Sequence, residues 1–370
     1  MVPVALIVVV AATVGVYIAV KHRQDHHRPE AKGPATKTAA RALALVSTTP
    51  ANGATNVPSD QVVTVRLSRP VDGVAGMPTF DPPVSGAWTK TGPRALSFSA
   101  TAPFIPTTTE TLVFPAGDAG PRSTDGLVLS APATVTFTVA QGSTERLQQL
   151  LAQLDYLPLS FTPTGPPPSP TGSVIAQAGT FAWRWPATPS SLTSLWSEGY
   201  ENVITKAAVM TFENQNGLAV DGLAGPKVWT ALLADLAAGK VDTVPYTYAF
   251  VSKQLPENLT LYENGAAVLA DIPVNTGAPG ADTVDGTYPV FEHVVASRMK
   301  GTNPDGSTYD DPAVPWASYF NGGDALHGFV RATYGSPQSN GCVEMPIATA
   351  AKVWPLSPIG TLVTVVGPAS

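Results

Sequence analysis

The 370-residue chain contains one cysteine, Cys342. This excludes intrachain disulfides and any thiolate-cluster metal site, so every domain must be held by its own apolar core. Composition allows that: 44% of residues are hydrophobic and 13% charged, too apolar for a charged disordered chain. Proline (37) and glycine (32) are abundant and call for many turns. The length corresponds to two or three domains. Six Lys/Arg and two Asp/Glu fall within residues 21–41, so the rest of a chain of net charge −6 is clearly acidic. An acidic bulk argues against nucleic acid as a partner, because phosphate neutralisation needs a basic surface.

Residues 1–20 carry no charge, and Lys21-His22-Arg23 closes the run. Twenty helical residues reach about 30 Å, the hydrocarbon thickness of a bilayer. The first small-x-small site, Ala42-Leu43-Ala44, lies far from the apolar run, which favours a retained transmembrane anchor over a cleaved signal peptide. Basic residues only after the helix would place the C-terminus in the cytoplasm. A function outside it requires a native start further upstream, with a basic segment of its own.

Residues 21–45 are polar and aperiodic and read as a tether. From 46 to 142 the pattern is short β runs: Val63, Val65 and Leu67 alternate with polar residues, and Leu112-Val113-Phe114 and Val135–Val139 repeat the type, as in a small β-sandwich. The opening Thr49–Pro58 resembles bacterial Ig-like modules, and the segment carries no residue that suggests chemistry. At Ser143 the period becomes helical. Leu147, Leu150, Leu151 and Leu154 share one face, six prolines in 158–170 predict a loop, and Gly225-Pro226 opens a last helix lined by Trp229, Leu232, Leu233 and Leu236. Within residues 143–240, Ala207–Glu213, Gly217–Gly222 and Gly225–Leu232 resemble the three-helix peptidoglycan-binding module. The residues alone indicate only a small helical bundle. From about Tyr246 to residue 367 the chain is β-patterned again, with a hairpin at Asn264-Gly265. The fold class expected is thus multidomain and mainly β: an N-terminal transmembrane helix, an Ig-like β-sandwich, a small three-helix bundle and a C-terminal β-rich catalytic domain.

The thiol follows Ser339-Asn340-Gly341, a turn composition. A lone cysteine is either a small buried hydrophobe or a reactive group. A turn can expose it beside backbone N–H groups able to meet an oxyanion. A nucleophilic thiol needs a base. After residue 46 only His293 and His327 are available. His293 sits in a strand-like run and reads as structural. His327, glycine-flanked and fifteen residues before Cys342, is the better partner.

The order His327-Gly328, then Ser339-x-Gly341-Cys342-Val343-x-Met345, resembles the active-site signature of the L,D-transpeptidase family. Gly277–Gly280 with Thr283–Val290 resembles that family's approach to the site, and the likeness spans residues 246–366. It implies Cys342 as nucleophile, His327 as base, and Gly328 acting on the imidazole through its backbone. It implies Gly341, Asn340 and Ser339 around the oxyanion pocket, and Tyr309, Arg331 and Tyr334 as substrate contacts. Two departures stand out: Asn340 replaces a histidine, and Glu344 replaces the usual Arg or Asn. Neither a metal nor an organic cofactor is expected. The implied reaction is peptidoglycan 3→3 cross-linking through a thioester. Hydrolysis of the same thioester and a non-catalytic wall-binding scaffold are the alternatives. Peptidoglycan and, through residues 1–20, the membrane are the expected partners, in the cell envelope. The sequence sets no oligomeric state.

Overall fold

The computed structural model describes residues 42–165 and 174–367. The expected anchor at 1–20, the tether up to residue 41, and residues 166–170 of the proline-rich loop lie outside the described residues. Among the described residues no helix is long and apolar enough to cross a membrane.

The first segment comprises β1 (Leu45–Thr49), β2 (Ala54–Val57), β3 (Val63–Leu67), β4 (Thr79–Asp81), β5 (Gly86–Gly92), β6 (Ala95–Ala100), β7 (Thr109–Phe114) and β8 (Ala133–Val139). Two sheets, ordered β1-β3-β6-β5 and β2-β8-β7-β4, face each other. The alternation read from the sequence sets the inward residues. Val63, Val65 and Leu67 from one sheet and Leu112, Phe114, Val135, Phe137 and Val139 from the other share one core.

The middle segment is helical with a β insertion: α1 (Thr144–Gln153), β9 (Leu159–Pro163), β10 (Gly179–Trp183), the single turn α2 (Ser190–Thr193), α3 (Val203–Gln215) and α4 (Pro226–Ala238). Ser143 caps α1 by accepting the Arg146 N–H. Pro226 occupies the first turn of α4, and Gly239 ends it in the left-handed conformation, φ +64°. The predicted loop at 158–170 is corrected in part, since residues 159–163 pair antiparallel with 179–183. Leu159 and Phe161 alternate with Ser160 and Thr162, and Phe161 packs on Phe181 with ring centroids 5.0 Å apart. That two-residue period was hidden by the flanking prolines. Leu147, Leu150, Leu151 and Leu154 are buried with Phe212, Trp229 and Leu232, as the helical spacing requires. Tyr248 and Leu362 of the next segment enter the same core, so the bundle and the C-terminal domain are packed together.

The C-terminal segment holds β11 (Thr247–Ser252), β12 (Asn258–Glu263), β13 (Ala266–Pro273), β14 (Gly286–Pro289), β15 (Glu292–Thr302), β16 (Thr308–Asn321), β17 (Asp324–Gly328), β18 (Val343–Met345), α5 (Ile347–Val353) and β19 (Leu362–Val366). One sheet runs β13-β12-β11-β19-β14, the other β15-β16-β17-β18. The Asn264-Gly265 turn joins β12 to β13 with both residues at positive φ, as a type I′ turn requires. Ala249, Val251, Leu259, Leu261, Leu326, Val343 and Val363 form the core between the sheets. The long hairpin β15–β16 extends beyond this core, and β17 and β18 run parallel beside it.

Candidate active site

Cys342 immediately precedes β18, and His327 lies in β17. The parallel register pairs Leu326 with Val343 and His327 with Glu344. Side chains alternate along a strand. Leu326 and Val343 point into the core, so His327, Glu344 and, continuing the register, Cys342 share the opposite face. The fifteen-residue sequence separation thus becomes adjacency on two neighbouring strands.

The turn carrying Cys342 is tied from several sides. Ser339, 1% exposed, donates its hydroxyl to the Cys342 carbonyl (2.5 Å) and accepts the Gly341 N–H (3.2 Å). Thr283 Oγ donates to the Gly341 carbonyl (2.7 Å) and accepts the Gly277 N–H (2.9 Å). The 277–283 stretch is thus fastened to the Cys342 turn. Gly341 has φ +108°, and a Cβ there would run into Asp324 Oδ1. Only glycine fits this position. The Asn340 amide, expected near the oxyanion, instead donates to Asn303 Oδ1 at the tip of the β15–β16 hairpin (2.6 Å), and its side chain is exposed.

His327 is 3% exposed. Its Nδ1 lies 3.2 Å from the Gly328 carbonyl. A carbonyl only accepts, so Nδ1 carries the proton and Nε2 keeps the lone pair. Gly328 meets the imidazole only through its carbonyl, and its missing side chain lets α5 approach, since a Cβ would press on Ile347 and Ala350. Burial, more than any charge, holds the imidazole below its ordinary value. Burial also pushes the Cys342 thiol up to about 12, with Asp324 and Glu344 adding to the rise and the Ala325 N–H opposing it. The pair at neutral pH is therefore thiol and neutral imidazole. This arrangement can transfer the proton during attack but does not hold a preformed thiolate. The thiol also contacts the Gly323 carbonyl at 3.6 Å.

Glu344, 4% exposed, is neutralised by Arg331 through two hydrogen bonds, Nε to Oε2 (2.7 Å) and Nη2 to Oε1 (2.8 Å). Arg331, expected to meet substrate, thus spends its fork on the residue that replaces the family's usual Arg or Asn. Tyr334 is also occupied: its hydroxyl donates to the Phe329 carbonyl and accepts the Arg331 N–H, closing its own loop. Tyr309 lies over Gly301 in the hairpin, with its phenol within electrostatic reach of the thiol. Sequence reasoning missed Tyr319, likewise within reach of the thiol, and Asp324, whose carboxyl burial raises to about 6. His293 proves structural: its ring stacks on Trp354 (4.0 Å), and Nδ1 meets Ser318 Oγ (3.1 Å).

Comparison with known proteins gives three family matches and several similar solved structures. Residues 246–365 match the family model of the L,D-transpeptidase catalytic domain. Residues 39–139 match a bacterial Ig-like domain, and residues 196–232 match a peptidoglycan binding domain. No curated protein sequence matches the chain. Among solved structures, an L,D-transpeptidase from Mycobacterium smegmatis is 12% identical, with 88% of this chain and 100% of that one covered and a TM-score of 0.30. L,D-transpeptidase 3 from Mycobacterium tuberculosis, solved with a faropenem-derived adduct, is 13% identical over 87% of this chain and 97% of its own, TM-score 0.30. The catalytic domain of the Enterococcus faecium L,D-transpeptidase is 24% identical over 34% of this chain and 100% of its own, TM-score 0.30. The chain carries an L,D-transpeptidase catalytic domain behind Ig-like and peptidoglycan-binding domains. It is an enzyme of the L,D-transpeptidase class, with the domain set of a cell-envelope protein.

Proposed function

We propose that the chain is a cysteine-dependent L,D-transpeptidase that forms 3→3 cross-links between peptidoglycan stem peptides through a thioester on Cys342. The observation that carries this is the placement of the sole cysteine and a base-competent His327 on one face of β17–β18. The Cys342 sulfur attacks the carbonyl of the third stem residue while His327 Nε2 takes the thiol proton. The C–N bond to the terminal D-Ala breaks, and the imidazolium returns that proton to the departing amine. In the second half, the side-chain amine of a neighbouring stem attacks the thioester. His327 takes its proton and delivers it to the sulfur as the C–S bond breaks. The backbone of the Gly341-Cys342 turn, fixed by Ser339 and Thr283, supports the oxyanion. Tyr309 borders the acyl site. A peptidoglycan-binding domain packed on the catalytic domain raises the local substrate concentration. Residues 1–20, as a membrane anchor, would hold this assembly in the envelope.

The test is to incubate the enzyme with a stem tetrapeptide carrying a free side-chain amine and analyse products by mass spectrometry. Release of D-Ala with appearance of the dimer, both lost in Cys342→Ala, is the expected result. Release of D-Ala with tripeptide alone would assign hydrolysis instead. Equal products from Cys342→Ala would remove the thiol from the reaction.

A further inference from the structure

Resting on the transpeptidase reading, we propose that Glu257, immediately ahead of β12, is a positioning residue that fixes the Cys342 turn through the peptide unit between Thr276 and Gly277. Glu257 is buried, and both of its carboxylate oxygens go to one residue. Oε2 accepts the Thr276 N–H (2.7 Å), and Oε1 accepts the Thr276 hydroxyl (2.6 Å). Thr276 is buried as well. A buried carboxylate carries a large desolvation cost. A fold that needed only to fill this corner could do so with an apolar side chain. The carboxylate instead grips one residue at two donors, which leaves Thr276 little freedom to shift or turn.

The peptide unit that follows Thr276 is bonded at both ends to the turn that carries the thiol. Its carbonyl accepts the Gln338 and Ser339 N–H groups, each at 2.9 Å. Ser339 in turn donates its hydroxyl to the Cys342 carbonyl and accepts the Gly341 N–H. The N–H of the same peptide unit, that of Gly277, donates to Thr283 Oγ, whose hydroxyl donates to the Gly341 carbonyl. One peptide group thus holds Gly341 and Cys342 from two sides, and Gly277 lies in parallel register with Ser339. The Glu257 backbone braces the same region, its N–H donating to the Gly335 carbonyl (2.9 Å) and its carbonyl accepting the Val274 N–H (3.1 Å). From the carboxylate the path to Cys342 runs through Thr276 and Ser339, with no hydrogen bond longer than 2.9 Å. In the transpeptidase reading the Gly341-Cys342 backbone supports the oxyanion. A shift of Thr276 therefore becomes a shift in the reacting geometry.

Single-turnover acylation of the enzyme by a carbapenem gives a maximal rate and a half-saturating concentration. Iodoacetamide gives the reactivity of the same thiol in a reaction that forms no oxyanion. Glu257→Met keeps the bulk and removes both acceptors. It should lower the maximal acylation rate about ten- to hundredfold, the range for a displacement of the reacting groups by up to about 1 Å. The half-saturating concentration and the alkylation rate should stay as in the wild type. Glu257→Gln can keep both bonds, its carbonyl accepting the Thr276 N–H and its amide donating to the Thr276 hydroxyl, and should restore most of the rate. Because Glu257 acts through Ser339, Glu257→Met should cost less in a Ser339→Ala background than in the wild type. If Glu257→Met does not fold, Thr276→Val removes one of the two bonds at constant volume and should show the same pattern at smaller amplitude. An unchanged maximal rate in the variant used, or Glu257→Gln as slow as Glu257→Met, overturns the assignment. So does a loss of acylation matched by an equal change in alkylation, or an effect as large without the Ser339 hydroxyl as with it, because Glu257 would then act on the domain as a whole and not on the turn. A wild type that is alkylated but forms no carbapenem adduct overturns the transpeptidase reading itself.

Discussion

Replacing Arg331 by alanine tests how the buried Glu344 is tolerated beside His327. Glu344 is 4% exposed and takes both its charge-assisted bonds from Arg331, at 2.7 and 2.8 Å. Breaking a buried ion pair from one side costs about 3–5 kcal/mol, because the remaining charge has neither partner nor water. The Arg331 side chain is 31% exposed, so water can partly replace it, and the expected loss is about 2–4 kcal/mol. Arg331→Ala/Glu344→Gln should recover more than half of that loss, since no buried charge then remains. The pH dependence of acylation should move as well. Glu344 raises the imidazole pKa and Arg331 lowers it, so Arg331→Ala shifts the acid limb to higher pH. Urea denaturation of the parent, both single variants and the double variant gives the energies, and stopped-flow acylation by a carbapenem gives the profile. A loss below about 0.5 kcal/mol, within the range of ordinary surface substitutions, would refute the reasoning. So would a double variant less stable than Arg331→Ala.

Three further outcomes follow from the same geometry. Gly341→Ala has no room against Asp324 and would need a left-handed backbone; acylation should fall at least about hundredfold while the fold, followed by circular dichroism, persists. His327 titrates below the ordinary imidazole value because it is buried. The acylation rate should therefore be level through neutral pH and decline only below about pH 6.5, and His327→Asn should lose at least about a hundredfold of that rate. Glu213 in the helical module, 1% exposed and bonded by the Asp221 and Gly222 N–H groups, is raised by burial to about 7. A carboxyl that binds its proton more tightly in the folded state contributes stability at acid pH, which is lost as pH rises towards 7. Glu213→Gln should thus raise the melting temperature at pH 8, by an energy on the order of 3 kcal/mol at most, and change little at pH 4; equal effects at both values would contradict the assignment.

The periodicities carried most of the fold. Alternation at Val63–Leu67 and helical spacing at Leu147–Leu154 mark residues whose burial depends on one element meeting one core, and such patterns are local. The β9–β10 hairpin escaped because its strands are short and its prolines, read as breakers, stand at the strand ends, where they cost little. Cys342 and His327 stand out as candidates because the sequence offers one thiol and, after residue 46, two histidines, and the structure places them on neighbouring strands. Their electrostatic surroundings were not legible. That Glu344 is matched by Arg331, thirteen positions away, depends on how the 329–338 loop folds back. That Asn340 reaches Asn303 depends on where the hairpin tip falls. That Asp324 lies against Gly341 shows only when β17 is laid beside the turn that carries Cys342.

The central claim is an activated thiol in an acyl-accepting pocket. Its most direct test is the intact mass of the protein after mixing with a carbapenem, beside Cys342→Ala and His327→Asn. The account predicts a stable adduct on the wild type mapped to Cys342, none on Cys342→Ala, and strongly slowed formation on His327→Asn. A folded wild type that forms no adduct, although a small alkylating agent still modifies its thiol, would contradict it. Cys342 would then be an accessible thiol without a working base or oxyanion site, and the domain a wall-binding scaffold.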